Sequence, residues 1–168
     1  MATNCATLLC EVVKQVNMPY HIELLVCLAN SRIISKSDLI SRIDSIILSC
    51  DNLPFELIDA SLSSSKRIED ICGHLKEYTS KHKIDYDALK RQVMRELFKR
   101  YKEGNLPLEQ AIHCLYLMSM TFPFLDEAEQ NELYVLSDVF YLAEEGIYSD
   151  LFEVKERFEQ LMSSYITP

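Results

Sequence analysis

Glycine is scarce in this 168-residue chain, and its three copies, Gly73, Gly104 and Gly146, stand far apart. A phosphate-cradling loop needs clustered glycines, so nucleotide binding of that kind is all but excluded. Five prolines and no low-complexity tract, set against 48% apolar residues, exclude collagenous, disordered and disulfide-scaffold classes. No G-x-S-x-G elbow, H-E-x-x-H pair or C-x-x-C pair occurs. His21, His74, His82 and His113 meet cysteine in sequence only at Cys72-Gly73-His74 and His113-Cys114. Adjacent helical residues point about 100° apart, a poor arrangement for chelation. The expectation is a non-enzyme with no catalytic residues, no metal ligands and no cofactor.

Long hydrophobic runs are missing too. The most apolar, Ile22 to Ala29, is broken by Glu23 and too short for a membrane span. Met1 to Gln15 has no basic region ahead of its apolar residues and carries Glu11 and Lys14 within them, so it does not read as a signal peptide. Cys5, Cys10, Cys27, Cys50, Cys72 and Cys114 lack regular spacing and fall mostly among apolar residues, which points to reduced thiols in a cytoplasmic protein.

What the chain does have is three-and-four apolar spacing almost throughout. This predicts a single domain over residues 1–168, all-α, an irregular multi-helix bundle of about seven to nine helices. A first helix is expected from Thr3 to Val16 and a second from Tyr20 to Ala29, with Pro19 between them. Ser37 is expected to cap a third, whose inward stripe is Leu39, Ile40, Ile43, Ile46 and Ile47. Pro54 suits the first position of a short fourth helix to Ser61, and Pro107 marks another start. Between them come a helix from Lys66 to Ser80 and a long one to Lys102 that Asp85 is expected to cap, with Tyr86, Leu89, Val93, Leu97 and Tyr101 facing the core. Gly104 and Gly146 are placed as C-caps, and Asp126 with Glu129 as a capping pair. Leu133, Val135, Leu136, Val139, Phe140 and Leu142 cover most of one helix, which predicts a central position. Ser149 is expected to cap the last helix, with Leu151, Val154, Phe158, Leu161 and Tyr165 turned inward. Asn52-Leu53-Pro54-Phe55-Glu56 recurs as Asn105-Leu106-Pro107-Leu108-Glu109, read as one helix-start chemistry used twice.

Charge is unevenly spread. Residues 1–125 balance, with 15 acidic and 15 basic side chains, while residues 126–168 hold 11 acidic residues against Lys155 and Arg157 alone, and so carry the whole −9. Such a segment repels polyanions and steers a basic protein inward. Glu144 and Glu145 sit just ahead of the C-cap Gly146, where negative charge opposes the helix dipole, a local cost that hints at use elsewhere. In contrast, Lys81, Lys83, Lys90, Arg91, Arg95, Lys99, Arg100 and Lys102 give residues 81–102 a local +5. Pairing of this ridge with the acidic segment, within the molecule or across a dimer, is its simplest use. Nucleic-acid binding is opposed by the overall charge.

Ile34-Ser35-Lys36-Ser37-Asp38, Ile43-Asp44-Ser45-Ile46 and Leu53-Pro54-Phe55-Glu56-Leu57-Ile58-Asp59-Ala60-Ser61-Leu62-Ser63 resemble the front half of small helical bacterial immunity-like proteins of polymorphic toxin systems. The tail, Leu133 to Tyr148, ending Ala143-Glu144-Glu145-Gly146-Ile147-Tyr148, is similar to the last helices of such proteins. The resemblance implies a cytoplasmic, non-enzymatic protein that neutralises a cognate toxin by direct contact, and the acidic tail points to a basic one. Glu144, Glu145, Tyr148, Asp150 and Glu153 form the expected partner-binding surface, carboxylates flanking one aromatic ring. A helical adaptor or self-assembling protein, for instance a homodimer, and a nucleic-acid binder working through residues 81–102 remain as alternatives.

Overall fold

The computed structural model describes residues 18–50, 52–147 and 150–166. They form helices α1 (residues 18–30), α2 (Lys36–Ser49), α3 (Phe55–Leu62), α4 (Ile68–Thr79), α5 (Tyr86–Lys102), α6 (Leu108–Thr121), α7 (Glu127–Glu144) and α8 (Leu151–Ile166), with no strand among the described residues. The chain is therefore all-α, as its apolar spacing indicates. The helix expected from Thr3 to Val16 lies outside the described residues. Two compact units are formed: the described residues of Met1–Val26 with Lys36–Asp85, and those of Cys27–Ser35 with Tyr86–Pro168.

In the first unit α3 packs against both α2 and α4. Leu57 and Ala60 of α3 are fully buried, as are Leu39 and Ile43 of α2 and Ile71 and Leu75 of α4. The Ser61 hydroxyl donates to Asp44 at 2.6 Å, fixing α3 to α2 with a polar tie beside these apolar contacts. α2 begins at Lys36, so Ser37 lies inside its first turn and is not the cap. Only Leu39 and Ile43 of the expected α2 stripe are buried; Ile40, Ile46 and Ile47 are half-buried, because α3 covers one narrow face. Pro54 is the N-cap of α3, not its first helical residue, and Pro107 does the same for α6. Both have proline φ with extended ψ (−61° and 138°; −60° and 157°), so the repeated pentapeptide does set the same helix start twice.

The C-terminus of α1 closes on Arg32 at φ 59°, a left-handed conformation usually left to glycine. The Arg32 and Ile33 amides donate to the Ala29 and Leu28 carbonyls at 3.0 and 2.9 Å, the paired bonds of a Schellman cap.

In the second unit α6 packs on α7, α8 on both α5 and α7, and α5 on α6. Phe158 of α8 is fully buried and meets Tyr101 of α5 edge-to-face, centroids 4.9 Å apart. Gly104 and Gly146 end α5 and α7 in Schellman caps, with φ of 74° and 66°. At the start of α7, Asp126 accepts from the Glu129 amide at 2.8 Å and Glu129 accepts from the Asp126 amide at 3.1 Å, a complete capping box.

Three expectations need correction in this unit. Tyr86 is exposed and stacks on Phe124 at 5.2 Å instead of entering the core, because it stands in the first residue of α5. α7 is not enclosed: Leu133, Leu136 and Phe140 are buried, whereas Val135, Val139 and Leu142 are half-buried and Tyr134, Asp138 and Tyr141 are exposed. Leu151 is exposed, one turn short of the buried stripe Val154, Phe158 and Leu161.

Candidate partner-binding surface

Glu144 ends α7, and Glu145 is its C-cap with φ −81° and ψ 0°. Both are exposed, and neither makes an ion pair among the described residues. At the other side of the connection Asp150 accepts from the Glu153 amide at 2.8 Å, capping α8. The capping side chain seen is thus Asp150, one residue after the expected Ser149, which with Tyr148 lies outside the described residues. Asp150 and Glu153 are exposed as well. Four of the five expected surface residues therefore gather at the α7–α8 corner, held there by a glycine C-cap on one helix and an aspartate N-cap on the next.

The corner also holds apolar side chains that sequence reasoning missed. Ile147 is 67% exposed, Leu151 45% and Phe152 66%. Phe152 falls outside the heptad stripe of α8, which was the available signal; Leu151 falls inside it and gave the wrong one. Exposed apolar side chains beside exposed carboxylates supply both kinds of group that interfaces use, apolar anchors and charge.

Much of the remaining acid is committed internally. Lys90 of α5, mostly covered, pairs with Glu129 of α7 at 2.5 Å, and Lys102 pairs with Glu159 of α8 at 3.0 Å. Hydrogen bonds from Lys102 and from the Tyr101 hydroxyl hold the Glu159 carboxyl below the usual carboxylate range. Burial and, after it, Glu129 raise the Tyr165 phenol above its ordinary value. The expected pairing of the basic ridge with the acidic segment thus occurs within the second unit, while Glu144 and Glu145 stay outside it.

The ridge itself is partly spent. Lys81 and Lys83 precede α5, and Lys81 pairs with Glu56. Lys99 and Arg100 pair along α5 with Glu103 and Glu96. Arg91 and Arg95 are exposed and make no ion pair among the described residues.

His113 and Cys114 diverge as their adjacency requires: His113 lines a cleft between α6 and α7, and Cys114 is buried. Burial pushes the Cys114 thiol up to about 12 and the Cys72 thiol up to about 11, leaving both as inert apolar groups at neutral pH. Among the described residues no three histidine, cysteine or carboxylate side chains gather as a metal site, and no helix is long and apolar enough to cross a membrane. No protein-family model, curated protein or solved structure matches the chain.

Proposed function

We propose that this chain is a non-enzymatic cytoplasmic binding protein that neutralises a basic toxin by direct contact at the α7–α8 corner. The observation that supports this reading is the corner's composition: exposed Ile147, Leu151 and Phe152 among exposed Glu144, Glu145, Asp150 and Glu153. The exposed carboxylates speed the encounter with a cationic protein, and the apolar side chains slow its departure. The cost of placing Glu144 and Glu145 at a helix C-terminus fits a role outside the fold.

The test uses the full chain as bait at low and physiological salt, beside Glu144→Lys/Glu145→Lys, the same variant with Glu153→Lys added, and Phe152→Ser. Lysine at the end of α7 complements the helix dipole, so the double variant is expected to fold. A basic protein retained by the native chain and released by all three variants supports the reading. Equal retention by native and variant chains refutes it.

Exposed Leu48, Phe55 and Leu62 in the first unit favour a second reading, self-assembly through α2 and α3. Sedimentation showing a defined oligomer, with no other protein captured, would select it.

A further inference from the structure

Tyr134, Asp138 and Tyr141 follow one another on α7 at steps of four and three residues, so they share one face, about 6 Å and about 4.5 Å apart along the axis. With Ser137, and with His113 and Tyr116 from α6, they line a cleft of about 190 Å³. His113 stacks on Tyr116 with centroids 6.2 Å apart, and Tyr116 inclines toward Tyr134 at 6.1 Å. The walls are therefore mostly aromatic, with a single carboxylate.

Two polar groups of this cleft, Ser137 and Asp138, make no hydrogen bond or ion pair among the described residues. Ser137 is only 2% exposed, yet its hydroxyl makes no hydrogen bond among the described residues, where a helical serine commonly donates back to a carbonyl. Since no enclosed side-chain oxygen among those residues lacks a partner, the Ser137 hydroxyl opens onto the cleft. Asp138 is exposed and makes no ion pair among the described residues.

We propose that this cleft receives the guanidinium of an arginine side chain presented by a protein partner. The inference deepens the binding reading above and rests on it for the source of the arginine. Asp138 supplies the counter-charge and two acceptor oxygens for the planar fork, while the tyrosine rings supply faces for cation–π contact. The Ser137 hydroxyl adds a further acceptor. Size agrees: the cleft lies below the roughly 300 Å³ at which pockets for drug-sized ligands begin, so it suits one side chain and not a nucleotide. A formal charge of −9 opposes an anion here. Lysine fits less well, because an ammonium is a point charge that does not stack.

NMR titration of the full chain tests this with N-acetyl-argininamide, N-acetyl-lysinamide and free arginine as probes. The expected result is saturable shifts at Tyr116, Tyr134 and Tyr141 with N-acetyl-argininamide, and binding weaker by at least about tenfold for the lysine probe. Asp138→Asn, at an exposed position that the core does not use, is expected to weaken the arginine probe by at least about tenfold while other resonances stay in place. Ser137→Ala serves as a second variant and is expected to weaken it less. Absence of saturable shifts, equal response to the arginine and lysine probes, or full binding by Asp138→Asn would overturn the proposal. Tighter binding of free arginine than of the blocked amide would mark a small-molecule site and overturn the assignment to a partner's side chain. No partner enters this titration, so a failed corner test and a failed cleft test are separate results.

Discussion

The Thr79 hydroxyl of α4 donates to the Glu23 carboxylate of α1 at 2.6 Å, where Glu23 is fully buried. Lys76, one turn earlier on α4, reaches the other carboxylate oxygen at 2.5 Å. A buried charge is tolerable only with such partners, and removing one strands it. Thr79→Val keeps the shape and deletes the donor, so it is expected to lower unfolding free energy by about 1–3 kcal/mol. Urea denaturation checks this; an unchanged midpoint would show that the Thr79 donor adds nothing.

Arg32 offers the opposite case. Its left-handed backbone costs a non-glycine residue roughly 1–2 kcal/mol, against about 0.5–1 kcal/mol of extra chain entropy lost by glycine. Arg32→Gly is therefore expected to stabilise the chain by up to about 1 kcal/mol, read as a rise in the thermal midpoint. A fall would mean that the arginine side chain makes up for its own strain.

Glu159 and Tyr101 set opposite pH limits. The Glu159 carboxyl is held below its usual range by Lys102 first and Tyr101 second. Its contribution is full above the ordinary carboxylate value of about 4.3 and is lost as pH falls through the lower folded value. Tyr101 is pushed up to about 12, by burial first and then by the hydrogen bond to Glu159. That contribution is full below the ordinary phenol value of about 10 and is lost as pH climbs through the folded value. Glu159→Gln is expected to flatten the acid limb of stability against pH and to bring Tyr101 ionisation down in an absorbance titration. Unchanged profiles on both limbs would contradict the coupling.

Signals confined to a few neighbouring residues were legible in the sequence. Gly104, Gly146 and the Asp126–Glu129 pair each act on backbone groups within one helical turn, and each was found where expected. Burial was legible only in part, since it depends on what comes to lie opposite. Ile40, Ile46 and Ile47 carry the right period yet stay half-buried, and Leu151 does the same at the end of its stripe. Glu144 and Glu145 are legible from their place just ahead of Gly146, and the exposure of Phe152 from its place outside the α8 heptad stripe; the exposure of Leu151 is not, because it falls inside that stripe. The cleft was hidden for a different reason. Tyr116 and Tyr134 lie 18 positions apart in sequence, and only the packing of α6 on α7 brings their rings within 6.1 Å.

The central claim, a cationic protein steered to the α7–α8 corner, is tested most directly by the association rate of the captured partner as ionic strength is varied. The account predicts an on-rate that falls steeply with added salt for the native chain, and one that is slower and nearly flat for Glu144→Lys/Glu145→Lys. An on-rate indifferent to salt, and the same in native and variant chains, would contradict it.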